Sequence, residues 1–201
     1  MRVGFFGGTF DPPHRGHLVV ARAAARIFAL DRVLLAPVGR QPLKSKAAEA
    51  GFDDRLRMVE LACGGRDLLQ ATDVDGPRPD GGSNYTIDTL RRLQPTLPAD
   101  ADLFVIVGAD AFLSLRQWRS SDELLALAHW IVVSRPSQAA LSEDGLGLTP
   151  QQRAHVHPLD GIAEPESATA IRARLRAGED CRDLVPGAVL DYIREHHLYG
   201  A

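Results

Sequence analysis

Short apolar runs rich in β-forming residues alternate along this chain with longer segments of helical period, and no other feature restricts its fold as strongly. Arg2 to Phe6, Arg32 to Val38, Leu68 to Val74, Asp102 to Gly108 and Trp130 to Ser134 read as strands, with DLFVIVG at 102–108 the clearest buried one. Helical segments fall between them, from about His14 to Ala29, Asp53 to Cys63, Thr86 to Leu93 and Ser121 to Ala128. Gly64-Gly65 closes the second of these, and the Pro/Gly content of Gly76 to Gly82 marks a loop. Residues 136–153 are polar and aperiodic, a surface excursion with room for one helical turn after Thr149-Pro150. Two further helices, Ser167 to Ala177 and Pro186 to His197, follow, with Pro186 suited to a first turn. Strands that alternate with helices pair in parallel through right-handed crossovers, which places helices on both faces of one sheet. The sequence therefore predicts an α/β fold: a Rossmann-like doubly wound parallel sheet in a single domain, 1–201, with a helical C-terminal part over about 165–201.

Composition excludes several classes. With 201 residues, 45% of them apolar and 24% charged, the chain can bury one sizeable core without metals or disulfides. Lys plus Arg number 23 against 26 Asp plus Glu, a net charge of -3 that gives no support to nucleic-acid binding through bulk positive charge. No apolar run approaches the ~18 residues of a membrane span. The apolar part of the N-terminal stretch is too short for a secretory signal and lacks a small-residue cleavage site. Cys63 and Cys181 have no zinc-like spacing and read as reduced thiols of a cytoplasmic protein.

The most informative residues follow the first strand: Gly7-Gly8-Thr9-Phe10-Asp11-Pro12-Pro13-His14-Arg15-Gly16-His17. Open α/β sheets bind ligands beyond the carboxyl ends of their strands, and the first βα turn is a favoured place. Paired glycines let backbone N–H groups approach a phosphate, and a helix N-terminus adds attraction for the same anion. His14 and His17, spaced i, i+3, face the same way on one helical turn and can steady charge that grows on a phosphoryl group. A zinc pair is disfavoured, because metal-binding helices more often use i, i+4 and need a third ligand. Neither the dinucleotide fingerprint nor the Walker A loop fits. Taken without further context, the same residues are a tight turn and two histidines at a helix start.

Gly7-Gly8-Thr9-Phe10-Asp11-Pro12 followed by His14-x-Gly-His17 resembles the signature of the HxGH nucleotidyltransferases, and is most similar to the bacterial nicotinate-mononucleotide adenylyltransferases of NAD biosynthesis. A second stretch, Ser167-Ala168-Thr169-Ala170-Ile171-Arg172, resembles that superfamily's Ser-x-Thr-x-x-Arg motif; read alone it is a capped helix bearing a surface arginine. Glu166 departs from the family, which usually has an apolar residue there. The resemblance implies an ATP site made of Gly7, Gly8, Thr9, Phe10, His14 and His17, with Gly108, Asp110 and Arg135 toward the adenosine and Ser167, Thr169 and Arg172 on the phosphates. On its own, Asp110 reads equally as a helix cap.

Ser83 to Leu90 and Trp118 separate members of the family. The resemblance implies that Tyr85, Thr86, Trp118 and Arg119 surround and hold the pyridine ring and carboxylate of nicotinate mononucleotide, although Trp118 alone reads as a half-buried core residue. Lys44 occupies the position of a basic residue that meets the mononucleotide phosphate, but Leu43 stands where the family commonly has histidine, so Arg40 or Lys46 could contribute. Arg55 and Met58 fit the following helix, with Met58 in the core. His155, His157, His196 and His197 read as surface residues.

The implied activity is transfer of the adenylyl group of ATP to nicotinate mononucleotide, with His14, His17 and Arg172 catalytic and Mg²⁺ bound through the ATP phosphates. No dedicated protein cage for a metal is expected, nor a nucleic-acid or membrane partner; a homodimer is left open. Two rivals stand beside this reading. One is transfer to another phosphate acceptor, nicotinamide mononucleotide or phosphopantetheine. The other is a non-catalytic nucleotide-binding module.

Overall fold

The computed structural model describes residues 1–43, 47–65, 68–134, 144–162 and 167–201. The chain runs β1 (Arg2–Gly8), α1 (Arg15–Ile27), β2 (Arg32–Pro37), α2 (Phe52–Cys63), β3 (Leu69–Ala71), α3 (Thr86–Leu93), β4 (Asp102–Gly108), α4 (Ala109–Leu113) and α5 (Ser121–Leu127). It continues through β5 (His129–Val133), α6 (Pro150–Ala154), β6 (Val156–Leu159), α7 (Ala168–Arg176) and α8 (Gly187–Glu195). One six-stranded sheet has the order β3-β2-β1-β4-β5-β6, with every neighbouring pair parallel. This is the doubly wound α/β arrangement that the alternation predicts. The strand order reverses between β1 and β4, and the crevice at such a switch point is where ligands bind in these sheets.

The unbroken apolar run of β4 follows from its central place. Phe104 and Ile106 enter the core on one face of the sheet, while Leu103, Val105 and Val107 enter the core on the other. The first core is closed by α1, α2, α7 and α8 through residues such as Ala21, Met58, Ile171 and Val189. The second is closed by α3, α4 and α5 through Ile87, Leu90, Phe112 and Leu124. Ala21 and Ala24 are both 0% exposed, so α1 presents small side chains that let it lie close against the sheet. Among the described residues no helix is long and apolar enough to cross a membrane.

Several boundaries differ from expectation, each for a local reason. His14 caps α1 rather than opening it, and Pro186, expected in a first turn, is the residue that caps α8. The third strand stops at Ala71, where Thr72 starts the turn. The single helical turn after Thr149 is present as α6, with the Thr149 hydroxyl accepting from Gln152 N at 3.2 Å.

The edge strand β6 went unpredicted, because VHPL is short and carries a proline; an edge tolerates Pro158, whose missing N–H is not needed on the open side. That strand also corrects the reading of His155 and His157 as surface residues. Both are half-buried, and His157 Nε2 lies 3.0 Å from His129 Nδ1 at the amino end of the sheet. His196 and His197 are exposed, as expected.

Candidate active site

β1 ends at Gly8, and the chain passes through Thr9 and turns at Phe10, which is held at a φ of 50°. Its ring is 1% exposed and packs with centroids 5.7 Å from Phe6 and 4.8 Å from His17. The side chain of Phe10, expected in the nucleotide site, thus belongs to the core, and backbone is what it has to offer a ligand. Its ring instead props His17 from behind.

The two histidines are brought together. His14 is 4% exposed, and its ring lies 3.7 Å from that of His17, centroid to centroid. His14 N donates to His17 Nδ1 at 3.2 Å. With Nδ1 accepting, the neutral His17 ring carries its proton on Nε2 and is a donor there. Burial pulls His14 down to about 4, and burial together with the nearby His14 holds His17 well below the ordinary histidine value. Both rings are therefore uncharged at neutral pH and act as hydrogen-bond donors, not cations.

Asp11, buried in the same turn, ties three distant segments to it. Its Oδ1 accepts from Tyr199 OH at 2.7 Å and Ala50 N at 3.1 Å, and its Oδ2 accepts from Glu49 N at 2.8 Å. The Asp11 carbonyl accepts from Arg172 Nη1 at 2.7 Å, which brings the Ser-x-Thr-x-x-Arg segment to the glycine turn. Ser167 caps α7 by accepting from Ala170 N at 3.3 Å, and Arg172 Nη2 also reaches Thr169 Oγ1 at 3.4 Å. Arg55, only 2% exposed, braces the turn from below: it donates to the carbonyls of Thr9, Val38 and Ala50 at 2.8, 2.9 and 3.2 Å. Burial lowers its value, against the opposing charge of Asp11.

From the glycine turn a cavity of about 590 Å³ runs across the ends of β1 and β4 to α3 and the segment after α4. Gly7, Gly8, Thr9 and His17 line one end, Gly108 the middle, and Tyr85, Thr86, Trp118 and Arg119 the other. Trp118 is half-buried, with its indole N–H on Ser114 Oγ at 3.2 Å and its ring edge against Trp130. Arg119 sits over the Tyr85 ring at 5.1 Å, and its Nη1 is 3.6 Å from Asp88 Oδ2. Thr86 is the first residue of α3, where a helix has N–H groups without intrahelical partners.

Asn84, 5% exposed, fixes this end. Its Oδ1 accepts from Arg40 N at 3.0 Å, while its Nδ2 donates to the carbonyls of Asp75 at 3.0 Å and Gly76 at 2.8 Å. Gly39 is required there: a Cβ would lie 2.7 Å from the Pro77 backbone. Asp75 accepts from Thr89 Oγ1 at 2.6 Å, and burial raises its carboxyl to about 6.

The structure thus brings the predicted residues into two adjoining groups. His14 stands against His17, Arg172 reaches the Asp11 carbonyl with Thr169 beside it, and Ser167 caps the same helix; these four lie outside the lining of the cavity. Asp110 is exposed in the first turn of α4. Leu43 lines the cavity and is 62% exposed, and the Arg40 guanidinium donates to the Gly81 carbonyl at 3.3 Å. Lys44, Lys46, Arg135 and Glu166 lie outside the described residues. Asp11, Glu49, Asn84 and Tyr199 carry no individual role from the sequence, and Arg55 only a place on the second helix. Asp11 sits inside the recognised motif, so only its role was hidden.

The cytidylyltransferase-like family model matches residues 5–174. A protein of Streptomyces coelicolor is 42% identical over 193 residues, 96% of this chain and 98% of its own, and one of Synechococcus is 39% identical over 198 residues, 98% and 94%. Both are described as probable nicotinate-nucleotide adenylyltransferases. Among solved structures, Plasmodium falciparum nicotinic acid mononucleotide adenylyltransferase complexed with NaAD superposes with a TM-score of 0.76 at 17% identity, covering 99% of this chain and 97% of that one. That likeness speaks to the fold; the sequence relatives, at nearly full length on both sides, speak to the family. The chain belongs to the cytidylyltransferase-like family and, within it, to the nicotinate-nucleotide adenylyltransferases.

Proposed function

We propose that this protein transfers the adenylyl group of ATP to nicotinate mononucleotide, releasing pyrophosphate and forming nicotinate adenine dinucleotide. The observation that carries the assignment is the continuous cavity from Gly7, Gly8 and His17 to Tyr85, Thr86 and Trp118. Its two ends have the chemistry of the two reactants. N–H donors and imidazole gather at the turn, and an indole stands beside a helix start where a flat ring with a carboxylate would lie.

The 5′-phosphate of the mononucleotide attacks the α-phosphorus directly, since a phosphate dianion is already a competent nucleophile. Catalysis is then positioning and charge stabilisation. Neutral His17 donates from Nε2 to the reacting phosphoryl oxygens, beside His14. Ser167, Thr169 and Arg172 hold the departing pyrophosphate, while Gly108, Asp110 and Arg135 serve the adenosine. Lys44 meets the mononucleotide phosphate. Imidazole, backbone N–H and guanidinium suit phosphate oxygens rather than a cation, so Mg²⁺ fits as part of the ATP substrate, where it offsets triphosphate charge. The same reading takes residues 1–201 as one domain. It places the protein in the cytoplasm, where buried free Cys63 and Cys181 suit a reducing medium.

The test is pyrophosphate release from MgATP with nicotinate mononucleotide, its amide and phosphopantetheine compared at equal concentration. Strong preference for the acid supports the reading. Release with another acceptor alone reassigns the acceptor end, and ATP binding without release with any acceptor overturns the catalytic role.

A further inference from the structure

Two arginines one turn apart on α7 close on a single carboxylate. Arg172 donates from Nε to Glu49 Oε1 at 2.8 Å, and Arg176 donates from Nη2 to Glu49 Oε2. Their i, i+4 spacing puts both guanidinium groups on one face of the helix, each taking a different oxygen of the same anion. These two hydrogen bonds, with the positive charge behind them, hold the Glu49 carboxyl below its ordinary value. The pair stands at the reaction turn: Glu49 N donates to Asp11 Oδ2, and Arg172 Nη1 to the Asp11 carbonyl. Arg172 is mostly covered, its side chain 16% exposed, whereas Arg176 and Glu49, at 49% and 41%, face solvent. A soluble anion can therefore reach the place that the carboxylate fills.

A phosphate group offers the same two-oxygen edge with more charge, and guanidinium forks match that edge better than they match a single carboxylate oxygen each. We propose that Arg176 is a second guanidinium for the terminal phosphates of the nucleoside triphosphate, acting beside Arg172, and that the Glu49 carboxylate is the resident anion that those phosphates displace. The identity of the ligand rests on the adenylyl-transfer reading; the anion site itself rests on the two arginines and their carboxylate. Glu49 in this role sets the affinity for the triphosphate end, because the ligand must take both guanidinium groups from it.

The experiment is calorimetric titration of the whole protein with MgATP and, separately, with AMP, which lacks the terminal phosphates. Arg176→Ala is expected to weaken ATP binding about 5-fold, the order of one half-exposed charge-assisted hydrogen bond, and to leave AMP binding unchanged. Glu49→Gln is expected to tighten ATP binding about 3-fold, again without effect on AMP, since a neutral amide competes less well for the guanidinium pair. Equal effects of Arg176→Ala on both nucleotides, or none on either, overturn the proposal. So does weaker ATP binding in Glu49→Gln, which would make Glu49 a strut and not a competitor. Should Arg176→Ala fail to fold, Arg176→Gln, which keeps the stem on α7, decides by the same comparison. The outcome separates cleanly from the catalytic reading. ATP-specific effects in a protein that turns over no acceptor keep the anion site and sink the reaction, and turnover without those effects does the reverse.

Discussion

At the scale of single residues, the two histidines show how placement changes what a side chain can do. An exposed His pair would be partly protonated near pH 6.5, but burial keeps both rings of this pair neutral, and the His14 N–H fixes the His17 tautomer. His17→Ala should lower kcat about 10²–10³-fold, the usual loss for one preorganised oxyanion donor. Steady-state rates checked against an unchanged melting temperature would test this, and near-normal turnover in a folded variant removes His17 from the chemistry. Arg55 has a different weight. Replacing it by Met leaves the carbonyls of Thr9, Val38 and Ala50 without their donor, which should cost about 3 kcal/mol. For a chain of this size that corresponds to a melting temperature lower by about 6–12 °C, readable by calorimetry.

Among the elements, the acceptor end is held less by helix packing than by Asn84, which joins the segments after β2 and β3 to the start of α3. Asn84→Ala should raise KM for the mononucleotide about 10-fold while KM for ATP stays within about 2-fold, as expected for roughly 1.4 kcal/mol lost at one end of the cavity. Equal changes in both constants would mean that the knot supports the whole site. The roles of Asn84 and Arg55 were not legible in the sequence, because each gathers mostly backbone groups from several segments, which no local pattern encodes. The strands around the switch point were legible for the opposite reason. Runs such as 102–108 are buried on both faces and state their environment in every residue. The strand at 156–159 has one neighbour and a proline, so propensity gives it no voice, and its pairing with β5 is a tertiary fact. At the site, the glycine turn and the two histidines were contiguous and readable, while the Asp11 network that assembles them was not.

For the whole molecule, pH sums over groups that the fold has buried. His14, His17, His129 and His157 all sit below the ordinary histidine value, chiefly through burial. The native state therefore binds fewer protons than the unfolded chain below about pH 6.5, so stability is full above that value and falls as pH drops through it toward the folded values. Asp75 works in the opposite sense: its carboxyl is raised to about 6, and its penalty is relieved as pH falls from there. Four histidines outweigh one carboxyl, and the urea midpoint should be clearly lower at pH 5 than at pH 7.5. His157→Gln should flatten that dependence; an unchanged slope would show that the pair at the amino edge of the sheet carries none of it. The hydrogen bond from Tyr199 to Asp11 spans 188 positions, so the turn beside the two histidines is finished by a side chain from far along the sequence. All six strands precede Tyr199 in the chain, so the sheet's own pairings do not depend on that hydrogen bond. The glycine turn is therefore fully braced only once the segment after α8 has docked on it.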